Sequence, residues 1–194
     1  MINTIKFCFT LGLIGFFSTE LCAQEKFEKE SRMKEQDVPS KAVQFIDALN
    51  IENKVKWYLE EGLEHNSIEA KFKRHKKKYS IEFDTLGTIE DVEIEIKEKA
   101  FSPKLNEAIQ SQLQKNCVKH KVVKIQIQYS GSHSALLKQL NSKEITSGIT
   151  INYELIVQCK STDGVDLFEY VFSDTGELIS MARIIFKNSS HLEY

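Results

Sequence analysis

Glycine, proline and cysteine are scarce in this chain of 194 residues, which holds eight, two and four of them. The glycines are spread among turns, so no glycine-rich loop is present to cradle a phosphate with backbone N–H groups. The cysteines lack the close spacing of a redox or zinc pair. Charge of one sign is missing as well, because 26 basic residues face 28 acidic ones for a net charge of −2. No global field steers the chain to nucleic acid or to an anionic membrane, and a nucleic-acid function is disfavoured. Catalytic constellations are also missing. Gly131-Ser132-His133-Ser134 sets serines beside a histidine, but the strand-turn-helix setting of a nucleophile elbow is absent. His65, His75, His120, His133 and His191 never fall at the short spacings that bring ligands onto one ion. The chain therefore reads as non-enzymatic, with no cofactor and no metal.

Long apolar runs are limited to one, Phe7 to Phe17, which is shorter than the roughly 20 residues a membrane-crossing helix needs. With Lys6 before it and the small Ala23 after it, the expectation is a signal peptide over residues 1–23, export to the periplasm or beyond, and no stable membrane insertion after cleavage. Cys22 is a poor lipidation site because Leu21, not a small residue, precedes it. Cys117 and Cys159 remain for an oxidising compartment, either as one disulfide or as two buried thiols, and sequence leaves both open. Residues 24–37 are dense in charge, with Phe27 and Met33 as apolar exceptions, and read as a mobile arm or a loosely docked helix.

What is present is a repeated pattern. Pro39 and Pro103 each open a segment whose apolar residues recur at three and four: Ala42, Val43, Phe45, Ile46 and Leu49, then Leu105, Ala108, Ile109 and Leu113. Ser102 is placed to cap the second helix. Alternating segments follow each helix, such as Val55-Trp57-Leu59 and Ile68-Ala70-Phe72 after the first and Val123-Ile125-Ile127 and Tyr153-Leu155-Val157 after the second. The last hairpins, Tyr79 to Ile89 and Phe168 to Leu178, carry inward residues in the same places and a polar turn ending at Gly87 or Gly176. In both, the next apolar residue (Val92, Met181) breaks alternation, which predicts a β-bulge. The expected fold is α+β, a tandem repeat of one helix plus a four-stranded antiparallel sheet over residues 38–100 and 101–194. The second copy carries an insertion at about 129–148, with room for a short helical turn around Ala135 to Leu140.

Alternation also sorts the surfaces. Trp57 falls in phase with Val55 and Leu59 and reads as core. Asp91, Glu93 and Glu95 share a face that would attract calcium or simply be solvated. Lys71, Lys73, Arg74, His75, Lys76, Lys77 and Lys78 cluster where two strands must turn, as a charged hairpin tip or a grip on an acidic partner. The outer face of the first copy is charged, whereas that of the second is nearly neutral. Depleted charge marks interface cores, so Gln126, Gln128, Asn152, Ile156, Gln158 and Val171, with His133 in the insertion, are the candidate partner-binding residues.

Val38-Pro39 opening a helix, then Val55-Lys56-Trp57, Ile68-Glu69-Ala70-Lys71-Phe72 and Tyr79 to Asp84 ending at Gly87, resemble the PepSY-like, beta-lactamase-inhibitor-like proteins exported by Bacteroidetes. These are core and turn residues, which speak for fold and hardly for activity. The resemblance implies a concave sheet that covers another protein of the cell envelope, as an inhibitor or regulator of an enzyme. The alternative is a periplasmic carrier of a small apolar or peptide ligand, with its pocket between helix and sheet.

Overall fold

The computed structural model describes residues 24–27, 29–63, 65–142, 146–160 and 164–185; the expected signal peptide lies outside them. Three helices, α1 (Ser40–Asp47), α2 (Pro103–Asn116) and α3 (His133–Asn141), accompany ten strands. The strands are β1 (Gln24–Phe27), β2 (Lys29–Met33), β3 (Lys56–Glu61), β4 (Asn66–Arg74), β5 (Lys77–Asp84), β6 (Ile89–Glu95), β7 (Lys119–Gly131), β8 (Ile149–Lys160), β9 (Val165–Ser173) and β10 (Leu178–Ile185). Proline at the first turn suits α2, where Ser102 Oγ accepts the Leu105 N–H at 3.2 Å. Ser132 Oγ accepts the Ala135 N–H at 3.3 Å and so starts α3 in the same way, which makes the expected short turn a nine-residue helix.

The expected tandem repeat of a helix plus a four-stranded sheet is overturned. Val92 pairs with Tyr129 and Ile94 with Ile127, joining β6 to β7, so all strands belong to one ten-stranded mixed sheet in the order β1-β10-β9-β8-β7-β6-β5-β4-β3-β2. Alternation reports which face a residue takes, not where a sheet stops, and an unpaired edge at β6 would leave its N–H and C=O groups open. The charged segment after residue 23 is strand as well. β1 runs parallel to β10 and β2 antiparallel to β3, so residues read as an arm occupy both ends of the strand order. Both expected bulges are present, as register shifts that leave Glu90 extra in β6 and Ile179 extra in β10.

One residue separates β1 from β2, so the Cα atoms of Phe27 and Lys29 lie at most roughly 7 Å apart. The β10 edge and the β3 edge must therefore meet, and the sheet closes on itself. Lys26 on β1 supplies independent support. Its ammonium acts electrostatically on Asp91 of β6, five strands away along the order, which in a flat sheet would be roughly 24 Å distant. Closure gives the sheet an inner face, the lumen, and an outer face that carries the helices.

Apolar packing lies outside the ring. Phe45 and Leu49 at α1 bury against Trp57, Ile81, Phe83 and Val92, with Leu136 of α3 in the same cluster. Leu105, Ile109 and Leu113 of α2 bury against Ile125, Leu155, Val157, Tyr170 and Phe172. Cys117, after α2, is joined to Cys159 of β8 in a disulfide, with Cα atoms 5.5 Å apart. Gly87 and Gly176 let the hairpin turns touch the helices. A Cβ at Gly87 would stand 2.8 Å from Pro39 Cβ and 3.0 Å from the Ala42 nitrogen, and one at Gly176 would stand 2.7 Å from Ala108 Cβ.

Gly87→Ala is expected to destabilise the protein by about 2–4 kcal/mol, since a left-handed backbone (φ 80°) and a clash with α1 add together. Gly148→Ala shares the φ of 80° but meets open space, and should cost about 1 kcal/mol. Urea unfolding midpoints of the two variants check the difference.

Candidate functional site

The pleat sends alternate residues of every strand into the lumen, and their register brings acids from six strands together. Glu60 of β3, Glu69 of β4, Glu82 of β5, Asp91 and Glu93 of β6, Glu154 of β8 and Glu169 of β9 all take this face. Glu69, Glu93 and Glu154 are buried. Polar partners hold them. Gln126 Nε2 donates to Glu93 Oε2 at 2.6 Å, Gln128 Nε2 to Asp91 Oδ2 at 3.0 Å, and Asn152 Nδ2 to Gln128 Oε1 at 3.3 Å. Ser80 Oγ donates to Glu69 Oε1. Glu154 stands close enough to Glu93 for the two like charges to oppose ionisation of Glu93.

Burial first, then the charges of Glu154 and Asp91, push the Glu93 carboxyl well above the usual carboxylate range. Burial and Asp91 do the same to Glu82, and burial and Glu154 raise Asp91 to about 7. The closing strands bring cations to this face. Lys26 Nζ lies 2.6 Å from Glu169 Oε2, and the guanidinium of Arg32 sits 5.6 Å from the Tyr58 ring centroid. Glu30 of β2 accepts from Lys71 Nζ at 2.6 Å, and the same ammonium lies 2.7 Å from Glu69 Oε2. Burial pulls the Lys71 ammonium down, but Glu69 and Glu30 outweigh it and hold it above its ordinary value. Glu30, Glu60 and Glu69 bring carboxylate oxygens within 4.8 Å of one another, yet Lys71 already supplies positive charge there.

At the end of the ring where β4 turns into β5, a cavity of about 950 Å³ opens. Ser80, Gln126 and Tyr58 border it from the lumen face, with Ser80 and Gln126 as its polar floor, while Phe72, Tyr79, Ile96, Val122 and Ile125 of the same strands and their ends turn to the opposite face and its apolar clusters. Seven lysines border it, Lys54, Lys56, Lys71, Lys73, Lys78, Lys97 and Lys124, against two acids, Glu95 and Glu98. This is an uneven distribution for a chain of net charge −2.

The candidate partner-binding residues are placed as follows. Gln126, Gln128 and Asn152 line the lumen in the hydrogen-bond ladder above, and Gln126 is only 3% exposed. Ile156 and Val171 are half-buried on the same face, paired with Glu169 and Glu154. Gln158 is exposed near the end of β8. His133 stands apart on the outer face, its ring 5.0 Å from that of Phe45. Asp91, Glu93 and Glu95, read as a solvated or calcium-binding face, turn into the lumen, with Glu95 paired to Lys78 at 2.8 Å. The basic cluster legible in the sequence holds Lys71, Lys73 and Lys78 but not Lys54, Lys97 or Lys124, which other parts of the chain bring to the cavity. The one available signal was Lys56, Lys71, Lys73 and Lys78 sharing a strand face.

No protein-family model matches the chain, and no curated protein matches it in sequence. Two solved structures match in fold. A DUF2874 family protein from Bacteroides ovatus has a TM-score of 0.52 at 12% identity, covering 75% of this chain and 87% of its own. Another from Bacteroides uniformis has a TM-score of 0.50 at 11% identity, covering 75% and 89%. At such identity the likeness concerns fold alone. It agrees with a resemblance to Bacteroidetes proteins. Among the described residues no helix is long and apolar enough to cross a membrane.

The lumen acids predict a pH dependence. Asp91 takes up its proton near pH 7 when folded and near its ordinary 3.8 when unfolded, so between those values the folded chain binds more protons. This contribution is fully present below about pH 4 and lost as pH rises through 7; Glu82 and Glu93 act in the same direction. The Tm should fall between about pH 5.5 and 8.5 by roughly 3 °C or more, corresponding to about 1 kcal/mol. Asp91→Asn should flatten that fall in differential scanning calorimetry.

Proposed function

We propose that the protein is a non-catalytic binding protein of the cell envelope whose small ligand occupies the cavity at the lysine-rich end of the closed sheet. The observation that carries this reading is the cavity's size with its polar lining. About 950 Å³ suits a molecule of ordinary cofactor or drug size, and a few polar groups, Ser80, Gln126 and Tyr58, converge on it beside the lysines. Binding is favoured over catalysis because the strongly shifted carboxyls Glu82, Asp91 and Glu93 lie outside the cavity lining, while the Lys71 amine is held protonated by Glu69 and Glu30. The carrier expected from sequence has its pocket between helix and sheet. Here the space between α1 and β3 is only about 190 Å³, bordered by Glu35, Asp47 and Trp57.

The resemblance to PepSY-like and beta-lactamase-inhibitor-like proteins supports a different occupant, an envelope protein on the neutral face of the second half. That reading has less support, because Gln126, Gln128 and Asn152 are committed to one another and to Glu93 and Asp91. A docking partner would have to break a ladder that satisfies buried acids.

The neutral fluorophore N-phenylnaphthylamine should bind the protein saturably with one-to-one stoichiometry. Val123→Trp, which places an indole at an exposed position of the lining, should weaken binding about tenfold or more with an unchanged circular dichroism spectrum. Non-saturable fluorescence, or equal affinity in the variant, would exclude the cavity as the ligand site.

A further inference from the structure

The lysines around the cavity oppose one another in a way the fold alone does not require. On the lumen face Lys56 stands directly across from Lys71, and Lys73 across from Lys78. Like charges directly opposite on neighbouring strands destabilise a sheet. Two of the four are neutralised locally, Lys71 by Glu30 and Glu69, and Lys78 by Glu95. Lys56 and Lys73, together with Lys124 across the opening, have no ion-pair partner among the described residues and are exposed. Lysines often guard sheet edges against aggregation, but β4 and β5 are flanked by strands on both sides and present no edge to guard. Departures from local stability of this kind concentrate where a ligand compensates them.

We propose that the cavity's ligand is a small amphiphilic polyanion, with two or more oxyanion groups held by Lys56, Lys73 and Lys124 and an apolar frame resting on Tyr58 and Val123. This rests on the cavity being the ligand site. Depth follows from hydrogen bonding. Past the floor of Ser80 and Gln126 the next side chains are Glu69 and Glu93, which already take donors of that floor. The acidic groups therefore stay at the rim while the frame takes the walls. A neutral apolar ligand would leave the opposed ammonium groups as they are, and a cation would be rejected by them.

Two probes separate the class of ligand from the existence of the site: neutral N-phenylnaphthylamine and dianionic bis-anilinonaphthalene sulfonate, titrated into the protein over residues 24–194. The dianion should bind at least about tenfold more tightly, and its affinity should fall as salt rises from about 0.05 to about 0.5 M. The triple variant Lys56→Gln, Lys73→Gln, Lys124→Gln should lose about tenfold or more for the dianion and stay within about twofold for the neutral probe. Its Tm without ligand should be unchanged or higher, since like-charge repulsion is relieved. Equal loss for both probes, or none for the dianion, overturns the polyanion while the cavity stands. If Val123→Trp leaves both probes bound as before, the cavity itself is the wrong site and both proposals fall.

Discussion

Closure of the sheet is the constraint on which the rest of this molecule depends. A single residue joins the strand that pairs with β10 to the strand that pairs with β3, so the two edges cannot separate by more than the reach of two peptide units. Without that join the acids of β4 to β9 would lie on an ordinary open face, in contact with water and mobile counter-ions. With it they face one another across a lumen. The pairing also disposes of both edges, which are where a long sheet is exposed to unwanted strand addition.

Burial then dictates protonation. Several carboxyl groups gathered in one enclosed space cannot all ionise, and the chain meets this with amide ladders, a Glu93 carboxyl held well above the usual carboxylate range, and the cations Lys26 and Lys71 brought in from or held by the closing strands. The basic end of the ring is the electrostatic complement of this acidic interior. The helices take no part in that arrangement. They seal the opposite face, where Phe45, Leu113 and their neighbours are wholly buried, and the Cys117–Cys159 bond ties the end of α2 to β8.

Much of the fold was legible in the residues. Both prolines and Ser102 stand at helix starts, Trp57 is core, the skipped steps before Val92 and Met181 are bulges, and the short turn in the 129–148 stretch is a helix. The charged segment from residue 24 is strand and not an arm because Lys26, Lys29 and Glu30 pair with charges on nearby strands and contribute little to the apolar core. Apolar periodicity, the main signal for strands, is weak there. The division into two sheets failed for a related reason: pairing between β6 and β7 depends on backbone hydrogen bonds, which leave no mark on side-chain alternation.

By itself the sequence determined which side chains share a face, because the two-residue period of a strand fixes that locally wherever the strand lies. It thus placed Glu69, Glu82 and Glu93 opposite the core and assembled the lysine-rich hairpin. Only the tertiary structure decided that this face is an interior and not a wet exterior, since closure depends on pairing between strands far apart in the chain. The same closure turned an unremarkable run of lysines into the rim of a cavity, by curving β3, β4, β5 and β7 around one space.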